Sequence, residues 1–271
     1  MYALISGIIL FSGAYSLIRW QLNLSIDFTG GTVIEYALEK TSQEELLDRF
    51  TKNNPDVLQS FEKADSRVAL RTKPIFQEQA RIEGASILRF ENVGPTLSAE
   101  ILRKTIIAIA IAAGGILLWV TWQFKSFQFG VSAIMAMIHD SLVLVGSFSL
   151  LGHFYKAPVD TLFVTALLTT LAFSVHDTIV VFDRVREIKK KIGGQIWNIA
   201  NLAVSQTMVR SLNNSLTIIF VLVALALLGG STLFWFVIAL LIGTITGTYS
   251  SPFVAVPLLV TWEKIRSLYR K

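Results

Sequence analysis

Cysteine is absent from the 271-residue sequence, and histidine occurs only three times. The absence of cysteine excludes a disulfide framework, a thiolate nucleophile and a cysteine-ligated zinc site. Charged residues are also scarce at 16%, whereas 53% of the residues are hydrophobic. This apolar share exceeds that of an ordinary soluble domain. The composition therefore predicts an α-helical polytopic membrane protein.

The net charge of +5 does not indicate a nucleic-acid partner. The basic residues are grouped beside apolar segments, at 184–191 and 264–271. Such grouping is typical of charge that flanks a membrane. We therefore expect membrane lipid, and no nucleic acid, next to these residues.

Six apolar segments approach the roughly 20 residues that a helix needs to cross a bilayer. They are 1–18, 106–124, 129–151, 162–182, 212–228 and 233–260. The first segment contains Ser12-Gly13-Ala14, which resembles a signal-peptide cleavage site. Because its apolar run is long and no basic stretch precedes it, a retained helix is the favoured interpretation.

The distribution of lysine and arginine predicts the orientation of these spans. The loop 183–211 and the basic tail 261–271 are expected in the cytoplasm, together with both termini. The polar stretch 19–103, between the first and second spans, then lies outside the cytoplasm.

The stretch 19–103 is too long for a structureless loop and has the patterns of a folded domain. Strands are predicted at 32–38, 56–63, 67–73 and 85–92, and helices at 43–53 and 74–82. The order βαββαβ predicts a small α+β domain of the ferredoxin-like type. It contains neither histidine nor a phosphate-binding glycine loop, so we expect a docking or moving part rather than a catalytic one.

Two glycine-containing turns lie where this domain meets its flanking helices. Gly30 and Gly31 closely follow Asp27, and Gly94-Pro95 follows the last predicted strand. Glycine at such places indicates positive φ or a close backbone approach. We interpret the turns as hinges or rigid joints, although a plain tight turn is the simpler interpretation of Gly30-Gly31.

Two aspartates, each preceded by a histidine, lie inside predicted spans. A carboxylate at the bilayer centre costs roughly 2.5 to 3.5 kcal/mol on insertion scales, so each must be protonated, paired or hydrated. Arg210 precedes the fifth span at a depth similar to that of Asp177 and is its candidate partner. Pairing would favour the charged aspartate, and separation in apolar surroundings the protonated one. The predicted proton relay comprises His139, Asp140, His176, Asp177 and Arg210.

Static explanations of the same residues stay open. Asp177 and Arg210 are also compatible with a permanent ion pair that fixes the bundle, and a lone histidine such as His176 is more often a packing residue than a relay. The two His-Asp doublets lack the further ligands of a metal site, so none is expected. In the sixth span, Gly247, Ser250 and Ser251 predict close helix contact.

Five stretches of sequence, in order along nearly the whole chain, are similar to the SecD/SecF family of the resistance-nodulation-division superfamily, and specifically to SecF. The Asp177 and Gly247 stretches are the specific ones. The five are Ile26-Asp27-Phe28-Thr29-Gly30-Gly31-Thr32, Val93-Gly94-Pro95, His139-Asp140, Asp177-Thr178-Ile179-Val180-Val181-Phe182-Asp183-Arg184-Val185-Arg186-Glu187 and Gly247-Thr248-Tyr249-Ser250-Ser251.

The resemblance implies a SecF-like accessory subunit of the Sec translocase in a bacterial inner membrane, which is not an enzyme and carries no cofactor. With SecD it would use the proton gradient to promote polypeptide export through SecYEG. By motif, Asp177 matches the family's proton-carrying aspartate and Arg210 its essential arginine. Two departures are His176 in place of the usual asparagine and Ser25 in place of a common glycine.

Two other functions compete with this one. A passive assembly factor of the translocase would tolerate loss of the Asp177 carboxylate. Half of a proton-driven efflux transporter would carry a much larger outer domain than 19–103.

Overall fold

The computed structural model describes residues 2–38, 41–64 and 67–269. The chain divides into two compact units. One unit is Leu24–Ile106, and the other combines Met1–Asn23 with Ile107–Lys271. The first holds a small antiparallel sheet and the second holds long helices, in agreement with a polytopic membrane protein that carries an α+β part.

The sheet unit is built around four antiparallel strands in the order β2-β3-β1-β4. Strand β1 alternates between buried and partly buried residues, so Ile34 and Tyr36 point into the core. The elements are α2 (Ile26–Thr29), β1 (Gly31–Leu38), α3 (Gln43–Asn53), β2 (Leu58–Ala64), β3 (Arg67–Thr72), β4 (Ala85–Val93) and the start of α4 (Pro95–Phe124).

Helix α3 supplies Leu46 and Phe50 to this core, where both are fully buried. The helix begins where the sequence predicts, because the Ser42 hydroxyl accepts a hydrogen bond from the Glu45 N–H at 3.2 Å. On β3, Val68 and Leu70 complete the same apolar cluster. Four predicted strands and the first predicted helix are thus present, with ends shifted by one or two residues.

The second helix predicted for this domain, 74–82, is absent; residues 77–80 form turns instead. Side chains from elsewhere bind three carbonyl groups of this stretch, and one of them, that of Ile75, would be paired within a helix 74–82. Asn92 Nδ2 donates to the Ile75 carbonyl at 3.0 Å, and Asn54 Nδ2 donates to that of Gln79 at 3.1 Å. A stretch this short does not nucleate a helix by itself. The order is therefore βαβββ, without the second helix of the predicted ferredoxin-like pattern.

The third of these carbonyls, that of Ala80, accepts a hydrogen bond from the fully buried Tyr36 hydroxyl at 2.5 Å. Tyr36→Phe is expected to destabilise the sheet unit by about 1 to 3 kcal/mol, because the carbonyl loses its partner. Hydrogen exchange of the β1 and β3 amides, measured on the full chain, checks this value. Tyr155→Phe, at a tyrosine that is 69% exposed, is the matched control.

The wild-type chain and the Tyr36→Phe variant also allow a test by pH. Burial raises the pKa of Tyr36 above its ordinary value. Above about pH 10 the unfolded chain releases this proton while the folded chain retains it, so stability falls as pH rises. Tyr36→Phe should remove that dependence. A steep loss above pH 10 that persists in the variant would assign the effect to other groups.

The helical unit consists of α1 (Tyr2–Trp20), most of α4, α5 (Phe127–Tyr155), α6 (Thr161–Lys191), α7 (Ile196–Leu228), α8 (Ser231–Ser250), a π-helical segment (Ser251–Ala255) and α9 (Val256–Tyr269). Five helical stretches within the described residues are long and apolar enough to cross a membrane, with α8 to α9 counted as one. The apolar part of α1, Leu4–Trp20, is shorter than these five.

Two predicted boundaries are corrected by the helices. The predicted loop 183–211 is helical except at 192–195, because α6 continues to Lys191 and α7 begins at Ile196. Glu187 pairs with Lys191 at 2.7 Å, one turn along the extended part of α6. The predicted tail from 261 likewise continues α9 through Tyr269, and its last two residues lie outside the described chain.

Small residues bring the helices together. On α1, Gly13 faces Gly146 of α5 so closely that a Cβ built on Gly146 would lie 2.6 Å from the Gly13 Cα. The hydroxyls of Ser16 and Ser149 meet one turn further along this crossing, 2.7 Å apart. Close backbone approach of this kind is typical of helix contacts in membranes.

The predicted sixth span is interrupted by the π-helical segment Ser251–Ala255. Pro252 lies in this segment and has no N–H to donate to the preceding turn, which accounts for the local change of helix type. Ser250 and Ser251, at its start, are fully buried. Such π-bulges are frequent at functional sites.

Candidate functional site

Asp177 lies on the buried face of α6, with its residue 8% exposed. The Ser211 hydroxyl of α7 donates a hydrogen bond to its Oδ2. This hydroxyl is neutral, so it orients the carboxyl group without balancing its charge. The residues 174, 177, 178 and 181 are spaced as one helix face, which explains why Asp177 turns inward.

The predicted ion pair between Asp177 and Arg210 is not present in the described chain; Ser211, the next residue, contacts the aspartate instead. The buried positions of α7 include Thr207, Ser211 and Ser215, which are four residues apart. Arg210 lies about 100° around the helix from Ser211 and is exposed. The prediction rested on the position of Arg210 along the chain and did not specify which face of α7 it occupies.

A small cleft opens beside Asp177, with a volume of about 20 Å³. This is enough for about one water molecule. His176 is exposed and lines the cleft, so the two residues of this doublet are brought together at one site. The remaining lining residues are Phe173, Asn214, Ser215, Ile218, Thr244, Gly247 and Thr248.

Asp140 on α5 is 5% exposed and accepts hydrogen bonds from neighbouring helices. Its Oδ2 accepts from Ser174 of α6 at 2.5 Å and from Ser250 of α8 at 2.6 Å. Its Oδ1 lies 3.0 Å from His139 Nδ1. The predicted His139-Asp140 doublet is therefore an interhelical junction, distinct from the Asp177–Ser211 contact.

Ser174 and Ser211 were not predicted as site residues. Each lies close to a predicted residue on the same helix. Ser174 is three residues before Asp177, and Ser211 directly follows Arg210. The α-helical period would have placed Ser174 on the Asp177 face, but only packing shows that it bonds Asp140. Nothing in the sequence distinguishes Ser211 from the other hydroxyl residues of α7.

Two of the three predicted residues of the sixth span, Gly247 and Ser251, lie against α6. A Cβ on Gly247 would lie 3.2 Å from the Ser174 Cα, so close helix contact explains this glycine. The Ser251 hydroxyl lies 3.0 Å from that of Thr178. Ser250, by contrast, bonds the Asp140 carboxyl group, a role beyond helix contact.

The predicted joints lie in the sheet unit. Asp27 is in α2, and Gly30 and Gly31 have φ of 73° and 118°, values that favour glycine. A Cβ on Gly31 would come 2.6 Å from the Thr72 carbonyl oxygen, so the backbones must approach closely there. Pro95 starts α4 directly after Gly94, as the sequence indicates.

In the part of the chain that the structure describes, no three His, Asp or Glu side chains converge as metal ligands would. The groups available for chemistry are two buried carboxyl groups, two histidines and the hydroxyls around them. Such groups can bind, hold and release protons. A helical membrane bundle that encloses two carboxyl groups and carries an antiparallel sheet unit defines a polytopic membrane protein with a protonatable interior.

Comparison with known proteins assigns the family. Residues 74–265 match the family described as Protein export membrane protein SecD/SecF, C-terminal, and residues 21–42 match the SecD/SecF GG Motif. The chain belongs to the SecD/SecF family.

Named relatives agree with this assignment. The chain is 41% identical over 289 residues to the protein translocase subunit SecF of Thermobaculum terrenum, covering 97% of this chain and 91% of that protein. It is 34% identical over 261 residues to the protein translocase subunit SecDF of Thermus thermophilus, covering 90% of this chain and 35% of that protein. A crystal structure of Thermus SecDF, described as a translocon-associated membrane protein, superposes with a TM-score of 0.82 at 30% identity, covering 96% of this chain and 37% of that one.

Proposed function

We propose that this chain is an accessory subunit of the Sec protein translocase and that it couples the proton gradient to polypeptide export. Two findings support the translocase role: the family of the chain, and its 41% sequence identity to a protein translocase subunit over nearly the whole length of both proteins. The observation that carries proton coupling is the Asp177 carboxyl group, which is buried inside the helical bundle and, among the described residues, is bonded by the neutral Ser211 hydroxyl.

A buried carboxylate without a cation is strongly disfavoured, so Asp177 is expected to carry a proton when its cleft is closed to water. Hydration of the cleft would allow release of that proton. Ionisation would strengthen the bond from Ser211 and change how α6 packs on α7. Proton binding and helix movement are thereby linked at one contact, and His176 at the cleft is the proposed exchange partner with water.

We propose SecD as the partner, on the ground that one face of α7 is polar and uncovered. Arg210, Asn213, Asn214 and Thr217 share this face at helical spacing, and all four are exposed. Polar groups facing hydrocarbon are costly, so a second subunit is required to cover them. Fusion of the corresponding segments in a protein named SecDF supports this choice.

The proposal includes a topology. The chain would cross a bacterial inner membrane six times, counting α1, so both termini would lie on the same side. The distribution of lysine and arginine assigns that side to the cytoplasm and residues 19–103 to the opposite side, with lipid around the spans. The sheet unit would respond to protonation through the joints at Asp27–Gly31 and Gly94–Pro95, next to SecYEG and the exported polypeptide. The coupling ion is the proton, and neither a cofactor nor an enzymatic reaction is proposed.

The test is preprotein translocation in proteoliposomes that contain this chain, SecD and SecYEG. We expect faster translocation and measurable proton flux when a proton gradient is imposed, and neither gain after an ionophore. Arg210→Ala is expected to lower both by about tenfold or more, because the positive charge next to Ser211, the residue that bonds Asp177, is lost. Lys52→Ala, at an exposed lysine of α3, is the matched control.

Equal translocation with and without the gradient, at equal assembly, would contradict proton coupling and favour a passive assembly factor. Export of small molecules without any effect on preproteins would instead favour the efflux alternative.

A further inference from the structure

Buried side-chain atoms without a hydrogen-bond partner are concentrated on α5. In the described residues they are Thr121 Oγ1, Gln128 Nε2, Ser132 Oγ and His139 Nε2. Three of the four belong to α5, and Thr121 is near the end of α4, against Gly130 of α5. Leaving such an atom unsatisfied destabilises the fold, and ordered water commonly supplies the missing partner.

The three atoms on α5 share one face of the helix. At about 100° per residue, positions 128, 132 and 139 fall within about 40° of each other. Between Ser132 and His139 this face is bordered by Met135 and Ala136; Ala136 is small and fully buried, whereas Met135 is 47% exposed. A line of polar atoms thus runs from the N-terminal end of α5 to the middle of the helix.

The inner end of this line is the His139–Asp140 pair. His139 Nδ1 is engaged by Asp140 at 3.0 Å, which leaves Nε2 as the nitrogen that can bond water. Ser174 and Ser250 occupy Asp140 Oδ2. Both oxygens of the Asp140 carboxyl group thus have protein partners, and a water molecule at His139 Nε2 would connect the pair to this face of α5.

Among the described residues, the partners of Asp140 are His139 and two serines and include no lysine or arginine. Helix α8 and the π-helical segment contain no acidic or basic residue. The titratable and charged groups on the elements that contact α5 lie elsewhere on those elements. They are His176, Asp177 and the charged residues in 183–191 of α6, Arg19 and Tyr15 of α1, Tyr249 of α8, Glu263, Lys264 and Arg266 of α9, Glu100, Arg103 and Lys104 of α4, and Lys125 between α4 and α5.

We propose that a file of ordered water molecules lies along Gln128, Ser132 and His139 of α5 and carries protons between the N-terminal end of that helix and the His139–Asp140 pair. The pair is then a second protonation site, with its own route, separate from Asp177 and its cleft. The use of this proton in transport rests on the proposed function, whereas the water file and the exchange of the proton do not.

The experiment is nuclear magnetic resonance of the full chain in lipid nanodiscs with ¹⁵N-labelled histidine. Since the sequence has three histidines, three imidazole signals are to be assigned. We expect the His139 signal to receive polarisation from water and to exchange its proton with solvent, although the residue is only 8% exposed. A His139 imidazole that shows no water contact and no exchange in the wild-type chain would overturn the proposal, without recourse to any variant.

Two substitutions test the route. Gln128→Leu with Ser132→Ala removes two polar atoms of the file and is expected to slow His139 proton exchange by about tenfold, the equivalent of one lost hydrogen bond. Ser141→Ala is the matched control, because the Ser141 hydroxyl bonds the Met137 carbonyl at 2.8 Å and lies about 200° around α5 from His139. An unchanged His176 signal reports that the bundle is intact.

Unchanged His139 exchange in the folded double variant would place the route elsewhere and overturn the assignment to α5. The proposed function can fail independently, because absence of gradient-dependent translocation leaves the nuclear magnetic resonance result untouched. Asp177→Asn should leave His139 exchange within about twofold of wild type, since the two sites have no shared hydrogen bond.

Discussion

Asp177→Asn is expected to lower the gradient-dependent part of translocation, and the proton flux that accompanies it, by about 100-fold or more. Asparagine has nearly the same shape and can still bond the Ser211 hydroxyl, so the α6–α7 contact is retained. It cannot bind or release a proton near neutral pH. The measurement is flux and preprotein translocation in proteoliposomes with SecD and SecYEG at equal assembly.

Two further variants separate charge from structure in that experiment. Asp48→Asn makes the same chemical change at an exposed position of α3 and should leave both activities near wild type. Ser211→Ala keeps the carboxyl group and removes its hydrogen bond, so a partial loss of about tenfold is expected. Full activity of Asp177→Asn would reduce the aspartate to a packing residue, as in a static bundle.

The sequence predicted the elements of the fold well where a regular pattern specified them. The alternation in β1 and the capping serine before α3 are local signals, and both elements formed as expected. In the segment 74–82, where a helix was predicted, carbonyl groups are bound instead by Tyr36, Asn54 and Asn92, which are distant in sequence, and the bond from Asn92 takes the Ile75 carbonyl that a helix would pair internally. A local pattern carries no information about such partners.

Helix ends in the membrane unit were predicted too short for a related reason. Hydropathy marks the part of a helix that suits hydrocarbon, but the backbone stays helical beyond it wherever polar residues pair along the helix. Glu187 contacts both Arg184 and Lys191, and α6 continues through them. The apolar segment therefore ends at residue 182, whereas the helix itself continues to Lys191.

The candidate site shows the same division. The cost of an intramembrane carboxylate identified Asp140 and Asp177 from sequence alone, and both are buried. Their partners depended on helix rotation and packing: a shift of one residue on α7 exchanges Arg210 for Ser211, and Ser250 reaches Asp140 across more than a hundred positions of chain. Residue type indicates which groups need partners, and the fold decides which partners they receive.

Gly146→Val is expected to give the largest loss of stability in the helical unit, about 3 kcal/mol or more. The first added carbon would already lie 2.6 Å from the Gly13 Cα, and the neighbouring atoms are backbone, which cannot rotate away. Helix α1 must therefore separate from α5. That movement would also break the 2.7 Å contact between the Ser16 and Ser149 hydroxyls.

Thermal unfolding of the full chain in detergent measures this loss, and Trp20 fluorescence reports on the crossing because its ring stacks on His153 of α5 at 4.1 Å. Gly114→Val is the matched control: the same change on α4 meets no atom within 4 Å. Since Gly146 lies on the helix that carries Asp140, separation of α1 should also speed His139 proton exchange by admitting water. A Gly146→Val chain as stable as Gly114→Val would show that the α1–α5 crossing is not held by close backbone contact.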